Sequence, residues 1–150
     1  MTASVRMRAA VVAGLWAAVA GAAETCALNL AGEWSVRQVD GQEAPVPMAV
    51  PGDVYSALLA ADRIPDPYFG RNELDVQWVG EREWLAERRF DVPAELLAKA
   101  SVCLRLEHVD TFCEISLNGR RVGETGNPFR RYDFEVKPLL RPGANTLTAR

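Results

Sequence analysis

Apolar and polar residues alternate in short runs through most of this chain, with turn signals between the runs. A period of two with regular breaks predicts a β-sandwich. Gly32 to Val39 alternates Trp34 and Val36 with polar positions and turns at Asp40-Gly41. Val46 to Val50 follows, ended by Pro51-Gly52, and then come Trp84 to Val92 and Ser101 to Glu107. Phe112 to Leu117 closes at Asn118-Gly119, a strong hairpin signal. Arg121 to Glu124, Arg131 to Val136 and Asn145 to Ala149 bring the count to about eight strands. Alternation also assigns faces. Val102, Leu104 and Leu106 share one side of their strand, which turns Cys103, Arg105 and Glu107 the other way. Cys113, Ile115 and Leu117 form a second apolar face, and Tyr132, Phe134 and Val136 a third.

Two segments change period. Val54, Leu58 and Ala61 recur at helical spacing behind Asp53, a good N-cap, which predicts a short helix reaching Asp62. Pro93 to Ala100 reads as a second, with proline at its start and Leu96-Leu97 as its anchor. Between Asp62 and Trp84 the chain reads as a Pro- and Asn-rich loop carrying Tyr68, Phe69 and Trp78.

The N-terminus stands apart from this pattern. Arg6 and Arg8 precede an apolar run from Ala9 to Val19, and Ala20-Gly21-Ala22 fits a signal-peptidase site, with Gly21-Ala22-Ala23 as a second option. The uncharged stretch is about 15 residues, short of the roughly 20 that a spanning helix needs. The expectation is a cleaved signal peptide at 1–22, a domain at 23–150, and an exported product, periplasmic or secreted, with no membrane attachment after cleavage. The final strand is cut off at Arg150 as it begins, so the domain is expected to be incomplete at its C-terminus.

Charge narrows the partners. Without Arg6 and Arg8 the chain has 15 basic against 20 acidic residues, near −5, and the bases are interspersed with acids. That excludes an electrostatic case for nucleic acid or anionic lipid. Cys26, Cys103 and Cys113 are an odd set, and the opposite facing of the last two argues against a bridge between them, so no disulfide is expected.

Candidate chemistry is sparse. His108 is the sole histidine and sits at a strand end, where a turn role is expected. No metal-site spacing, nucleophile elbow or phosphate-binding glycine loop occurs, so no catalytic residue, metal or cofactor is assigned. Glu81/Glu83 and Asp133/Glu135 have the spacing that puts two carboxylates on one strand face, which invites comparison with glycoside hydrolysis, but neither pair sits in a recognisable motif. The region richest in ligand chemistry is aromatic: Tyr68, Phe69, Trp78 and Trp84 interleave with Asn72, Glu73 and Asp75. Flat apolar faces beside hydrogen-bonding groups suit a sugar ring.

Several of these pieces, in order, resemble the N-terminal sugar-binding domain of β-mannosidases in glycoside hydrolase family 2. The segment from Val50 to Trp84, from Pro51-Gly52-Asp53-Val54 to Gln77-Trp78-Val79, is the most specific. Leu30-Ala31-Gly32-Glu33-Trp34 is similar to the family's opening strand, and Trp84 to Phe90 to its "W-x-Y-x-x-x-F" strand. Val109-Asp110-Thr111 through Leu117-Asn118-Gly119 to Val122-Gly123, and Asn127 to Leu147, are similar to its later blocks. Ala86 departs from the pattern where an aromatic is usual, which implies a small hole or a repacked core. Cys113 replaces a small residue such as alanine.

The resemblance implies an all-β jelly-roll sandwich of the galactose-binding-domain type that packs against a catalytic (β/α)8 barrel in cis. It implies a retaining glycosidase acting on oligosaccharides, with two glutamates that would both lie beyond Arg150, as would a Trp-Asp-Trp substrate loop. The loop before Trp84 tends to run toward the active-site face, which makes Asn72, Glu73, Trp78 and Trp84 the substrate-proximal candidates. By itself the chain is expected to be non-catalytic. A neighbouring specificity (exo-β-glucosaminidase or β-galactosidase), a free-standing carbohydrate-binding module and a purely structural domain are the alternatives.

Overall fold

The computed structural model describes residues 26–150 and the backbone of residues 4–8. The apolar leader run and both cleavage options lie outside the described residues. Among the described residues ten strands form two antiparallel sheets: β1 (Ser4–Arg8), β2 (Ala27–Asn29), β3 (Gly32–Gln38), β4 (Val46–Val50), β5 (Trp84–Val92), β6 (Cys103–Glu107), β7 (Cys113–Leu117), β8 (Arg120–Thr125), β9 (Tyr132–Glu135) and β10 (Gly143–Ala149). One sheet has the order β2-β1-β6-β9 and the other β4-β3-β5-β10-β7-β8.

The alternation in the sequence becomes the core. Leu104 and Leu106 are buried on β6 while Cys103, Arg105 and Glu107 are half-buried on its other face. Cys113, Ile115 and Leu117 are buried on β7, and Trp34 and Val36 on β3. These join Met48, Ala86 and Leu147 in one hydrophobic cluster. At roughly 25 cal/mol per Å2 of apolar surface, a fully buried leucine such as Leu104 or Leu117 contributes about 2 kcal/mol of transfer free energy.

Helix α1 (Val54–Ala60) starts as its sequence predicts. The Asp53 carboxylate accepts from the Ser56 N–H at 2.8 Å, and Ala57 and Leu58 are buried. The second predicted helix shrinks to α3 (Ala94–Leu97), held by fully buried Leu96. The segment read as a plain loop contains a further helical turn, α2 (Asn72–Asp75), and a 3-10 turn at Gln77–Glu81. Its buried residues, Val76 and Val79, are too few to show a period, and burial of both against the core is what folds it. Strand β1 lies among the residues read as the basic start of a leader, and β2, three residues long, is too short to show alternation. Phe112 is corrected from strand to loop, since β7 begins at Cys113 and the Phe112 ring is 86% exposed.

One end of the sandwich is tied by two asparagines. Asn145, almost fully buried, accepts from the Arg141 N–H and donates to the carbonyls of Arg141 and Gly143. Asn118, at positive φ in the β7–β8 turn, donates to Asn145 Oδ1 and to the Leu139 carbonyl, and accepts from the Thr146 N–H. Every polar group of this buried knot has a partner, which is the condition for burying it without penalty. Gly123 on β8 lets the Phe134 ring approach; a Cβ there would come within 2.3 Å of the ring.

Candidate functional site

The opposite end of the larger sheet is open. There β5 begins at Trp84, β7 begins at Cys113, β8 ends at Thr125, and the β10 ladder runs on until Arg150 pairs through its backbone with Glu114 on both sides. The strand ends frame a cleft of about 1050 Å3. Val36, Met48, Ala86, Cys113 and Ala149 contribute an apolar floor. Tyr55 of α1 and Val79-Gly80 line it from the helical connection, and Asp110, Phe112, Asn127, Arg130 and Tyr132 line it from the loops around β7, β8 and β9.

The polar groups of the cleft largely hold one another. Arg150 grips the Glu83 carboxylate at 2.6 Å. The Tyr132 hydroxyl accepts from the N–H groups of Gly126 and Asn127 at 3.0 and 2.9 Å, which fixes the loop after β8. The Arg130 guanidinium lies 5.7 Å from the centre of the Tyr132 ring, within cation–π range. Thr125 donates to the Thr111 carbonyl at 2.9 Å and joins the loops before β7 and after β8. Burial pushes the Cys113 thiol up to about 11, so at neutral pH it is a protonated, non-nucleophilic floor residue.

The four sequence candidates divide. Trp84 is half-buried and lines the cleft, with its indole N–H donating to the Val79 carbonyl at 2.8 Å. Trp78 leans on it, ring centres 6.1 Å apart and planes at 41°. Asn72 and Glu73 lie on α2 and do not line the cleft. The Asn72 amide donates to the Asp66 carbonyl at 2.9 Å and holds the loop, and Glu73 is exposed. Tyr68 and Phe69 are 97% and 75% exposed.

Among the described residues the two carboxylate pairs are held as follows. Asp133 is held below the usual carboxylate range, first by the hydrogen bond from Arg105 at 2.7 Å. Burial would raise Glu135, but hydrogen bonds from Ser101 and from the N–H groups of Val102 and Lys137 bring it down. Both therefore serve as ionised acceptors. Glu83 is committed to Arg150, and Glu81 closes the 3-10 turn. His108 takes positive φ, as expected of a turn residue. Among the described residues no group of three or more His, Cys, Asp or Glu is arranged to hold a metal ion, and no helix is long and apolar enough to cross a membrane. The three cysteines are free.

Sequence reasoning missed Tyr55, Asn127 and Arg130 as cleft residues, because loops distant in sequence bring them together. Ala86 was legible. Beside it lies a wholly apolar cavity of about 30 Å3, also lined by Trp34, Met48 and Ile115.

Residues 34–150 match the family described as glycosyl hydrolase 2 galactose-binding domain-like. The β-mannosidase of Capra hircus is 33% identical over 120 residues, and a probable β-mannosidase of Caenorhabditis elegans is 34% identical over 125. The match covers 80% of this chain but 14% of the goat protein, so the chain spans about one-seventh of that relative's length. A β-D-mannosidase from Dictyoglomus thermophilum superposes with a TM-score of 0.79 at 43% identity, over 82% of this chain and 15% of that one. An exo-chitosanase of Amycolatopsis orientalis, at 15% identity and a TM-score of 0.69, shares the fold. With the profile covering most of its length and β-mannosidases aligning over four-fifths of it, this chain belongs to the galactose-binding-like N-terminal domains of glycoside hydrolase family 2 and is β-mannosidase-like among them.

Proposed function

We infer that this chain is the N-terminal accessory domain of an exported β-mannosidase-type glycoside hydrolase that removes terminal β-D-mannose from oligosaccharides. The carboxylates that cleave the glycosidic bond lie in a (β/α)8 barrel carried by the same, longer polypeptide. The observation that carries this reading is the coverage asymmetry: β-mannosidases align with four-fifths of this chain, which accounts for only one-seventh of their length. The open cleft agrees with an accessory role, since Glu83, Glu114 and Glu124 are tied to arginines and its floor is apolar. Trp84, with Trp78 leaning on it, forms the wall nearest to substrate in this reading, while Asn72 holds the loop behind them.

The test is to express the whole reading frame and compare hydrolysis of p-nitrophenyl β-D-mannoside with the β-D-glucosaminide, β-D-glucuronide and β-D-galactoside. Preference for the mannoside by at least tenfold in kcat/KM is expected. Preference for another glycoside moves the protein to a neighbouring specificity. If the frame encodes no barrel and the domain alone binds mannose, it is a carbohydrate-binding module instead.

A further inference from the structure

Tyr68 and Phe69 are the most exposed rings on the segment that joins α1 to β5, and the backbone beneath them is tightly held. Buried Ile64 on one side and buried Val76 on the other fasten the segment to the core. Between them the turn is closed by its own hydrogen bonds. The Asp66 carboxylate accepts from the Tyr68 N–H at 2.9 Å. The Asp66 carbonyl accepts from the Phe69 N–H at 3.2 Å and from the Asn72 amide at 2.9 Å. The Asn72 N–H returns to the Phe69 carbonyl at 3.2 Å, and Gly70 supplies the positive φ that reverses the chain. Pro65 and Pro67 stiffen the approach. Two apolar rings held out in water return nothing to the fold, and neither lines the cleft. A turn fixed in this way is preorganised for a contact outside the domain.

The neighbouring charges select the ligand. Asp66, Arg71, Glu73 and Asp75 flank the rings and are exposed, and among the described residues none of the four is in an ion pair. A protein face closing over the rings would strip water from these unpaired charges, and interface cores are depleted of charge for that reason. A sugar makes no such demand. A pyranose lays its C–H face on an aromatic ring, while its hydroxyls bond to charged groups or water at the margin. We propose that the Asp66–Arg71 turn is a glycan-stacking platform for a β-linked mannan chain. Tyr68 and Phe69 supply its rings, and Arg71 and Glu73 its marginal hydrogen-bonding groups. This rests on the reading of the chain as part of a hydrolase of β-mannosyl oligosaccharides. Two rings offer two contacts, so affinity grows with chain length and a single mannose is held weakly.

The whole reading frame is expressed and run in native gels cast with increasing amounts of soluble β-1,4-mannan, beside the double variant Tyr68→Ser with Phe69→Ser. The gel is expected to retard the parent protein, and the variant's dissociation constant to rise at least about tenfold. Tyr68→Trp with Phe69→Trp, which keeps two flat rings, is expected to retain the retardation. The thermal midpoint of the serine variant should stay within about 1 °C of the parent, as for any exposed substitution. A parent protein that mannan does not retard, or a serine variant retarded as strongly as the parent, overturns the proposal. So does a midpoint lowered by several degrees, because the rings would then be covered by another part of the same polypeptide. These readouts are independent of glycoside hydrolysis. A protein that mannan retards through these rings but that spares the mannoside loses only its substrate assignment. An active β-mannosidase whose retardation ignores the rings loses only the platform.

Discussion

Strand β10 runs from one end of the sandwich to the other, and its two ends are built on opposite terms. At Gly143–Asn145 it enters a knot in which buried amides are paired with one another and with backbone. At Ala149 and Arg150 it reaches a cleft with an apolar floor, charged rims and the 86% exposed Phe112 ring, and Phe129, 92% exposed, stands in the loop that Asn127 brings to it. The difference separates two uses of the same sheet. The closed end stores stability around the buried Asn145 amide, which has no solvent alternative, and the open end keeps surface that contributes little to the domain's own folding.

The sharpest way to break this contrast is at Asn145. Asn145→Ala removes four hydrogen bonds and leaves part-buried partners on Arg141, Gly143 and Asn118 unsatisfied. A loss of about 3–4 kcal/mol is expected in urea unfolding of the 150-residue chain. A loss under 1 kcal/mol would show that the knot is not a stability element. Gly123→Val tests the neighbouring close approach: overpacking against Phe134 is expected to cost about 2 kcal/mol, and Phe134→Leu in the same chain should restore part of it.

Nearer the open end the sign reverses. Ala86→Val adds volume beside the apolar cavity on a central strand and is expected to stabilise by about 0.5–1 kcal/mol, read as a rise in the urea midpoint. Acid is the next smaller effect. Because the folded-state pKa of Asp133 is depressed, its contribution is present above the unfolded carboxylate value and is lost as pH falls below about 4. Asp133 is partly solvent-exposed, so the term is about 0.5 kcal/mol or less after screening. Asp133→Asn should remove that part of the acid dependence of the unfolding midpoint. Smallest of all, Phe112→Ser with Phe129→Ser should leave the domain's stability within about 0.5 kcal/mol. A larger loss would mean that the open end also supports the fold.

The sequence determined the strands and the faces they bury. Trp84–Val92 and Val46–Val50 form where alternation places them, because a half-buried strand has one dominant way to hide its apolar side. It determined the Asp53 cap, the turn at His108 and the void beside Ala86, since each is local chemistry or a single missing ring. It also carried the family, through motifs that the structure explains as the asparagine knot and the Gly123–Phe134 contact. Only the tertiary structure decided the candidate site. Tyr55, Phe112, Arg130 and Arg150 are far apart along the chain, and no periodicity relates loops that meet across strand ends. It decided that Trp84 faces the cleft while Asn72 turns inward to its own loop, because the folding of residues 72–81 depends on burying Val76 and Val79. It also decided which strands neighbour β1, a matter of long-range pairing that no local pattern encodes.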